Sequence, residues 1–147
     1  FLQLPLLSVQ YLSTVSSSEG MKIKILSSRK MNENIADLTI QKINKKLQYS
    51  EDAINEIANM YQTTIKALDT SIDGYADRDV VKANETTSIE AEIDKQHKRY
   101  RDLHIKRLHE GTCNAYAGAV FLDLLSNLER IGDHSTNIAE IVVENNA

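Results

Sequence analysis

A chain of 147 residues can enclose one real core, and 17 lysines and arginines against 21 acids give a net charge of −4 with no basic block, which argues against nucleic-acid binding. One proline, five glycines, two phenylalanines and no tryptophan leave long stretches free of helix breakers and argue against a sandwich or barrel. The single cysteine, Cys113, excludes an internal disulfide and fits a reducing compartment.

The chain opens with FLQLPLLSVQYL, an apolar stretch that Pro5 interrupts and that is too short to cross a membrane. It lacks the basic start and small-residue cleavage site of a signal peptide. Because it begins at Phe1 rather than Met, a fragment of a longer protein is expected. On that reading residues 1–30 are an N-terminal extension or linker, and residues 31–147 form the helical domain.

Between Met31 and Asp73 there is neither glycine nor proline, and apolar residues recur at Met31, Ile35, Leu38, Ile43, Leu47, Ile54, Ile57, Tyr61, Ile65, Leu68 and Ile72. From Ile54 the steps are 3, 4, 4, 3 and 4, the seam of a helix that packs on others. The polar run QYSED predicts a break near Tyr49 to Asp52, and Gly74 is the expected C-terminal cap. A second helix is expected from YADRDVV, with Asp77 as its N-cap, to about His109, where Gly111 supplies the stop. The third should run from about Thr112–Asn114 to about Glu144, burying Phe121, Leu124, Leu125, Leu128, Ile131, Ile138 and Val142. Short connections make consecutive helices antiparallel. The predicted fold is all-α: a long up-down-up three-helix bundle in a spectrin-like arrangement, with helices of roughly 45 Å and an N-terminal extension.

The second helix is poor in aliphatic residues, so its inward stripe should draw on some of Thr87, Glu90, Asp94, His97 and Arg101, which recur at steps of 3 or 4. Two of these, Glu90 and Asp94, form an acid pair one turn apart, and the third helix repeats the spacing with Glu129 and Asp133. Glu90 lies 21 residues before Gly111 and Asp133 lies 22 after it, while Asp94 is 17 before and Glu129 is 18 after. Antiparallel helices hinged there would set Glu90 level with Asp133 and Asp94 level with Glu129. Four carboxylates brought together need a cation, a proton or arginine partners, and an oxygen-only set suits hard divalent ions or iron. The plainer alternative is that both pairs are solvated and balanced by Arg130, Lys95 or Arg101. Gly132, beside the second pair, permits close approach of a ligand or marks a tight helix crossing.

His97 and His134 could extend the cluster, and Asn137, one turn beyond Asp133, could support it. His104 and His109 read as ordinary residues near a helix end. Cys113 has no cysteine or histidine at a finger-type zinc spacing. No phosphate-binding glycine loop, nucleophile elbow or catalytic triad pattern is present, so nothing reads as an enzyme.

The stretch LERIGDHSTNIAE resembles the signature of the PhoU family, and IEAEIDKQH resembles that family's other acidic segment. The sequence between them resembles the PhoU-like domain found behind sodium/phosphate cotransporter-type membrane domains. The resemblance spans about Ile54 to Glu144 and is strongest over residues 89–144. It implies a three-helix PhoU repeat whose acid motifs bind a metal cluster of iron, zinc or manganese. Carried over by motif, the ligands are Glu90, Asp94, Glu129 and Asp133.

Typical family members hold two such bundles, and one is present here, which implies a homodimer or a second copy elsewhere in a longer protein. The implied role is regulation of phosphate uptake and signalling on the cytoplasmic side of a phosphate transporter. The partner would be the transporter's membrane domain or its regulatory complex, and the domain would be membrane-associated through it. The alternative is a structural or dimerising bundle without metal.

Overall fold

The computed structural model describes residues 47–146, so the expectations placed on residues 1–46 lie outside the described part. Within it the chain forms three long helices and no strand: α1, Glu51–Asp77; α2, Val80–His109; and α3, Ala115–Asn145. Each helix packs against both others, giving the expected up-down-up bundle. The break near Tyr49–Asp52 is real: Leu47–Ser50 is not helical, and the Ser50 hydroxyl caps α1 by accepting from the Ala53 N–H at 3.2 Å. Glu51 and Asp52 then place negative charge in the first turn, where the helix dipole favours it.

The turn between α1 and α2 differs from expectation. Gly74 does not end α1; it is buried inside the helix, where an added Cβ would stand 3.3 Å from the backbone nitrogen of Ala83. The helix ends instead at Arg78, whose left-handed backbone (φ 54°, ψ 39°) turns the chain. The Asp79 N–H then donates to the Gly74 carbonyl at 2.8 Å and the Arg78 N–H to Tyr75 at 3.4 Å, the pairing of a Schellman cap. Asp79, rather than Asp77, caps α2 by accepting from Val81 and Lys82 N–H groups at 2.9 and 3.2 Å. Asp77 is the last residue of α1 and pairs with Lys82 at 2.8 Å. The α2–α3 connection follows expectation more closely. Gly111 has φ 69° and Asn114 caps α3 by accepting from Tyr116 and Ala117.

The core is centred slightly off the predicted seams. On α1 the most buried positions are Ala53, Met60, Thr64, Ala67, Leu68, Ser71 and Ile72, while Ile54, Ile57, Tyr61 and Ile65 sit at its margin. The predicted face of α3 is buried in full. On α2 the inward stripe is Ala83, Thr86, Ile89, Ile93, Tyr100 and His104. The polar series Thr87, Glu90, Asp94, His97 and Arg101 lies one residue, or about 100°, further round, half-buried or exposed. An acid at a position such as Ile93 would lose water without a partner, so the helix buries its few aliphatic residues and leaves the acids on the shoulder. His104, expected to be an ordinary helix-end residue, is fully buried at 0% exposure.

Arg78 is exposed and holds a conformation that a side chain disfavours. Arg78→Gly is expected to stabilise the protein by about 0.5–1 kcal/mol, read as a higher urea midpoint at unchanged slope.

Candidate metal centre

The site is positioned by the crossing of α2 and α3. A Cβ added to Gly132 would stand 2.9 Å from Cδ1 and 3.3 Å from Cγ2 of Ile93, a side chain that is itself fully buried. Glycine is therefore required because Ile93 fills the space, which is the tight-crossing reading of Gly132. The residues that follow, Asp94 on α2 and Asp133 on α3, are carried to the same shoulder of the bundle by this contact. Glu90, one turn before Asp94, joins them.

Carboxylate oxygens of Glu90, Asp94 and Asp133 lie within 4.8 Å of one another. Glu90 is half-buried, whereas Asp94 and Asp133 are exposed. The structure thus brings together three of the four acids singled out by sequence, with Glu90 and Asp133 in one group as their heights require. Glu129 is half-buried and stands outside that group, yet its carboxyl feels Asp133, Asp94 and Glu90.

The electrostatics are those of crowded like charges. Burial first, then Asp94 and Asp133, push the Glu90 carboxyl above its ordinary pKa. Glu129 is raised by burial and then by Asp133 and Asp94, with Arg130 opposing. Asp133 is raised by burial and then by Asp94, while His134 and His97 pull it the other way. Among the described residues no lysine or arginine closes an ion pair with any of the four acids. The balance by Arg130, Lys95 or Arg101 that the sequence left open therefore takes the form of no direct contact.

His97 is half-buried and within electrostatic reach of Asp94 and Asp133; burial, then Arg101, hold it below the ordinary imidazole pKa, so it is neutral at pH 7. His134 and Asn137 are half-buried on α3 beside and one turn beyond Asp133. Three carboxylates with a fourth alongside make an oxygen donor set that fits a hard cation and leaves positions for water. Such a cation would neutralise the repulsion that the protein itself leaves in place.

A second polar group, at the α2–α3 connection, was not read from the sequence as a unit. His104, Arg107, Cys113 and Glu56 of α1 meet there. Its one legible signal was that His104 follows Tyr100 by four residues and so continues the buried stripe of α2.

Comparison with known proteins places this geometry in a family. The pattern of the PhoU domain matches residues 57–142, which is more than half of the 147-residue chain. The chain belongs to the PhoU domain family. The matched span includes all four acids and most of the three helices, and it confirms the resemblance carried by LERIGDHSTNIAE and IEAEIDKQH.

Curated relatives of this PhoU domain agree. It is 29% identical over 116 residues to the phosphate-specific transport system accessory protein PhoU homolog 1 of Thermotoga maritima, covering 76% of this chain and 50% of that protein. It is 29% identical over 92 residues to the PhoU homolog of Clostridium acetobutylicum, covering 63% of this chain and 42% of the relative. The Deinococcus radiodurans homolog is 33% identical over 67 residues, 46% of this chain and 32% of that protein. The chain thus spans half, or less, of the length of these relatives. No solved structure matches it.

Two predictions follow from the crossing and its charge. Gly132→Ala gains about 1 kcal/mol of helix propensity but overpacks against Ile93 at a cost of about 1–3 kcal/mol, so a net loss in urea unfolding is expected. A carboxyl with a raised folded pKa opposes folding at neutral pH, and the opposition fades as pH falls through the folded value toward the ordinary one. Metal-free Asp133→Asn should therefore exceed the parent protein in stability at pH 7 by a few tenths of a kcal/mol, and this gain should disappear by about pH 4.

Proposed function

We propose that this PhoU domain is a regulatory element of phosphate transport, and that its carboxylate shoulder binds a metal. The observation that carries the reading is the group formed by Glu90, Asp94 and Asp133 across α2 and α3, inside the span that matches the family. The relatives it resembles are named as accessory proteins of a phosphate-specific transport system. The names of these relatives support a regulatory role on this reading.

In the proposed arrangement Glu90, Asp94 and Asp133 are the first ligands and Glu129 completes the set when a cation draws its side chain inward. His97, His134 and Asn137 stand behind them. When bound, the metal would supply positive charge that ties α2 to α3. Iron and manganese suit the oxygen donors better than zinc, which favours nitrogen and sulfur.

The proposed partner is the membrane domain of a sodium/phosphate cotransporter-type protein, or its regulatory complex, with this domain on the cytoplasmic face. No helix among the described residues is long and apolar enough to cross a membrane, so membrane association would come through that partner. The chain spans half of its first relative, and on this reading a second bundle comes from a homodimer or from another copy in a longer protein.

The second reading is a structural or dimerising bundle with no metal. It is favoured by Gly132, whose identity Ile93 explains without a ligand, and by the exposure of Asp94 and Asp133. Elemental analysis of protein purified without chelator separates the two. Near-stoichiometric iron, manganese or zinc, lost in Asp94→Ala/Asp133→Ala, is the expected result. Metal-free protein after reloading would leave the second reading.

A further inference from the structure

The sequence holds no unbroken block of cations, yet α2 gathers them. Of the ten lysines and arginines in residues 47–146, six fall between Lys95 and Arg107, where the one acid is Asp102. The same span carries 18 acids, so half of one helix is basic in a bundle that is otherwise acidic.

Helical geometry sorts these cations by side. Ile93, Tyr100 and His104 are buried and mark the inward face of α2. Lys95, Lys98, Arg99 and Lys106 fall on the opposite side, within an arc of about 100° and along about 17 Å of rise. All four are exposed, and Asp102 shares their arc. Arg107 is not among them, because its guanidinium turns inward to Glu56 at 2.7 Å. Arg101 lies two turns beyond Asp94, on the side of the carboxylate shoulder.

These four cations are weakly balanced by the protein itself. Among the described residues Lys95, Lys98 and Arg99 close no ion pair. Lys106 meets Glu110 at 3.8 Å, with side chains 70% and 53% exposed, a contact that water weakens. Beside Arg99 and Lys106 the helix also leaves Leu103 exposed, a large apolar side chain at the surface.

The shape of this ridge selects its partner. A small anion is held by cations that converge on a point, whereas these stand in a row on the outer side of a helix and suit an extended array of negative charge. Acids border the row on both flanks, Glu90 and Asp94 on one and Glu92 on the other. A polyanion that wraps the helix, such as a nucleic acid, would run into those acids, but a flat anionic surface touches the ridge alone. Long basic side chains in a row, with an aliphatic one at their edge, are the features of a helix that lies against anionic lipid.

We propose that this ridge docks the domain on an anionic lipid surface, with α2 along the plane of the bilayer, Lys95, Lys98, Arg99 and Lys106 among the headgroups and Leu103 at their edge. The attraction is electrostatic and therefore reversible and weakened by salt. It gives the domain a route to the membrane that uses neither the metal nor the transporter partner proposed above.

The test is sedimentation of the whole chain with protein-free vesicles, in the presence of chelator so that divalent ions cannot bridge the acids to lipid. Vesicles of phosphatidylcholine alone are compared with vesicles in which part of it is replaced by phosphatidylglycerol. Binding to the anionic vesicles at low salt, release at high salt and no binding to the neutral ones are expected. Each cation removed from such a contact weakens it about fivefold, so Lys95→Gln/Lys98→Gln/Arg99→Gln should bind about a hundredfold more weakly. Lys66→Gln/Arg78→Gln/Arg130→Gln removes the same charge from exposed positions elsewhere and should stay within about threefold of the parent protein. All six side chains are exposed, and circular dichroism confirms that both variants keep their helices. No binding to either vesicle, equal binding to both, or an equal loss in the two variants overturns the proposal. Capture by polyglutamate in place of vesicles would assign the ridge to an acidic polypeptide and overturn it equally. Because chelator is present throughout, a failure here leaves the metal reading standing, and metal-free protein leaves the lipid contact standing.

Discussion

The close approach of α2 and α3 at Ile93 and Gly132 governs what this bundle can do. Ile93 is fully buried and leaves no room for a side chain at residue 132. Interiors are packed too densely for the two helices to slide past such a contact without loss. The neighbouring residues inherit its geometry. Asp94 and Asp133 follow directly, and Glu90 lies a turn away, so one apolar contact fixes where three carboxylates meet. Stability and site are thus set by the same pair of residues, one apolar and one without a side chain.

That coupling explains why a helical bundle keeps acids in unfavourable company. Each of Glu90, Glu129 and Asp133 is held above its ordinary pKa by burial and by the other acids. Elsewhere the protein pairs its charges closely, as in Arg107 with Glu56 or Lys82 with Asp77. The contrast is informative: among the described residues, no lysine or arginine pairs directly with the acids of the carboxylate shoulder. On the proposed reading a cation fills that role, and its arrival or loss would change how firmly α2 and α3 are joined. On that reading such a change is the physical form of the regulatory signal, because it acts on the α2–α3 interface.

Much of the fold was legible because periodicity and breakers carry it. The α3 face from Phe121 to Val142, the stop at Gly111 and the break before Glu51 all follow from residue spacing and turn chemistry. The α1–α2 turn was not legible, because Arg78 adopts a conformation usually left to glycine while Gly74 serves helix contact instead. The face of α2 was misread by one position. With Ile89 and Ile93 the only large aliphatic residues between Val81 and Tyr100, the polar series beginning at Thr87 offered an equally regular pattern. At the site, counting from Gly111 set the heights of Glu90 and Asp133, since rise per residue is constant in a helix. It could not give side-chain placement, and Glu129 lies outside the group. The contact of His104 with Cys113 depends on packing between elements and had no local signature.

The most direct measurement of the central claim is anomalous X-ray scattering from crystals of the protein grown with manganese. The account predicts a peak within about 2–2.6 Å of carboxylate oxygens from both helices, Glu90 and Asp94 on one side and Asp133 on the other. An ordered crystal with the Ile93–Gly132 contact intact, but with no peak at these acids at millimolar manganese, would contradict it.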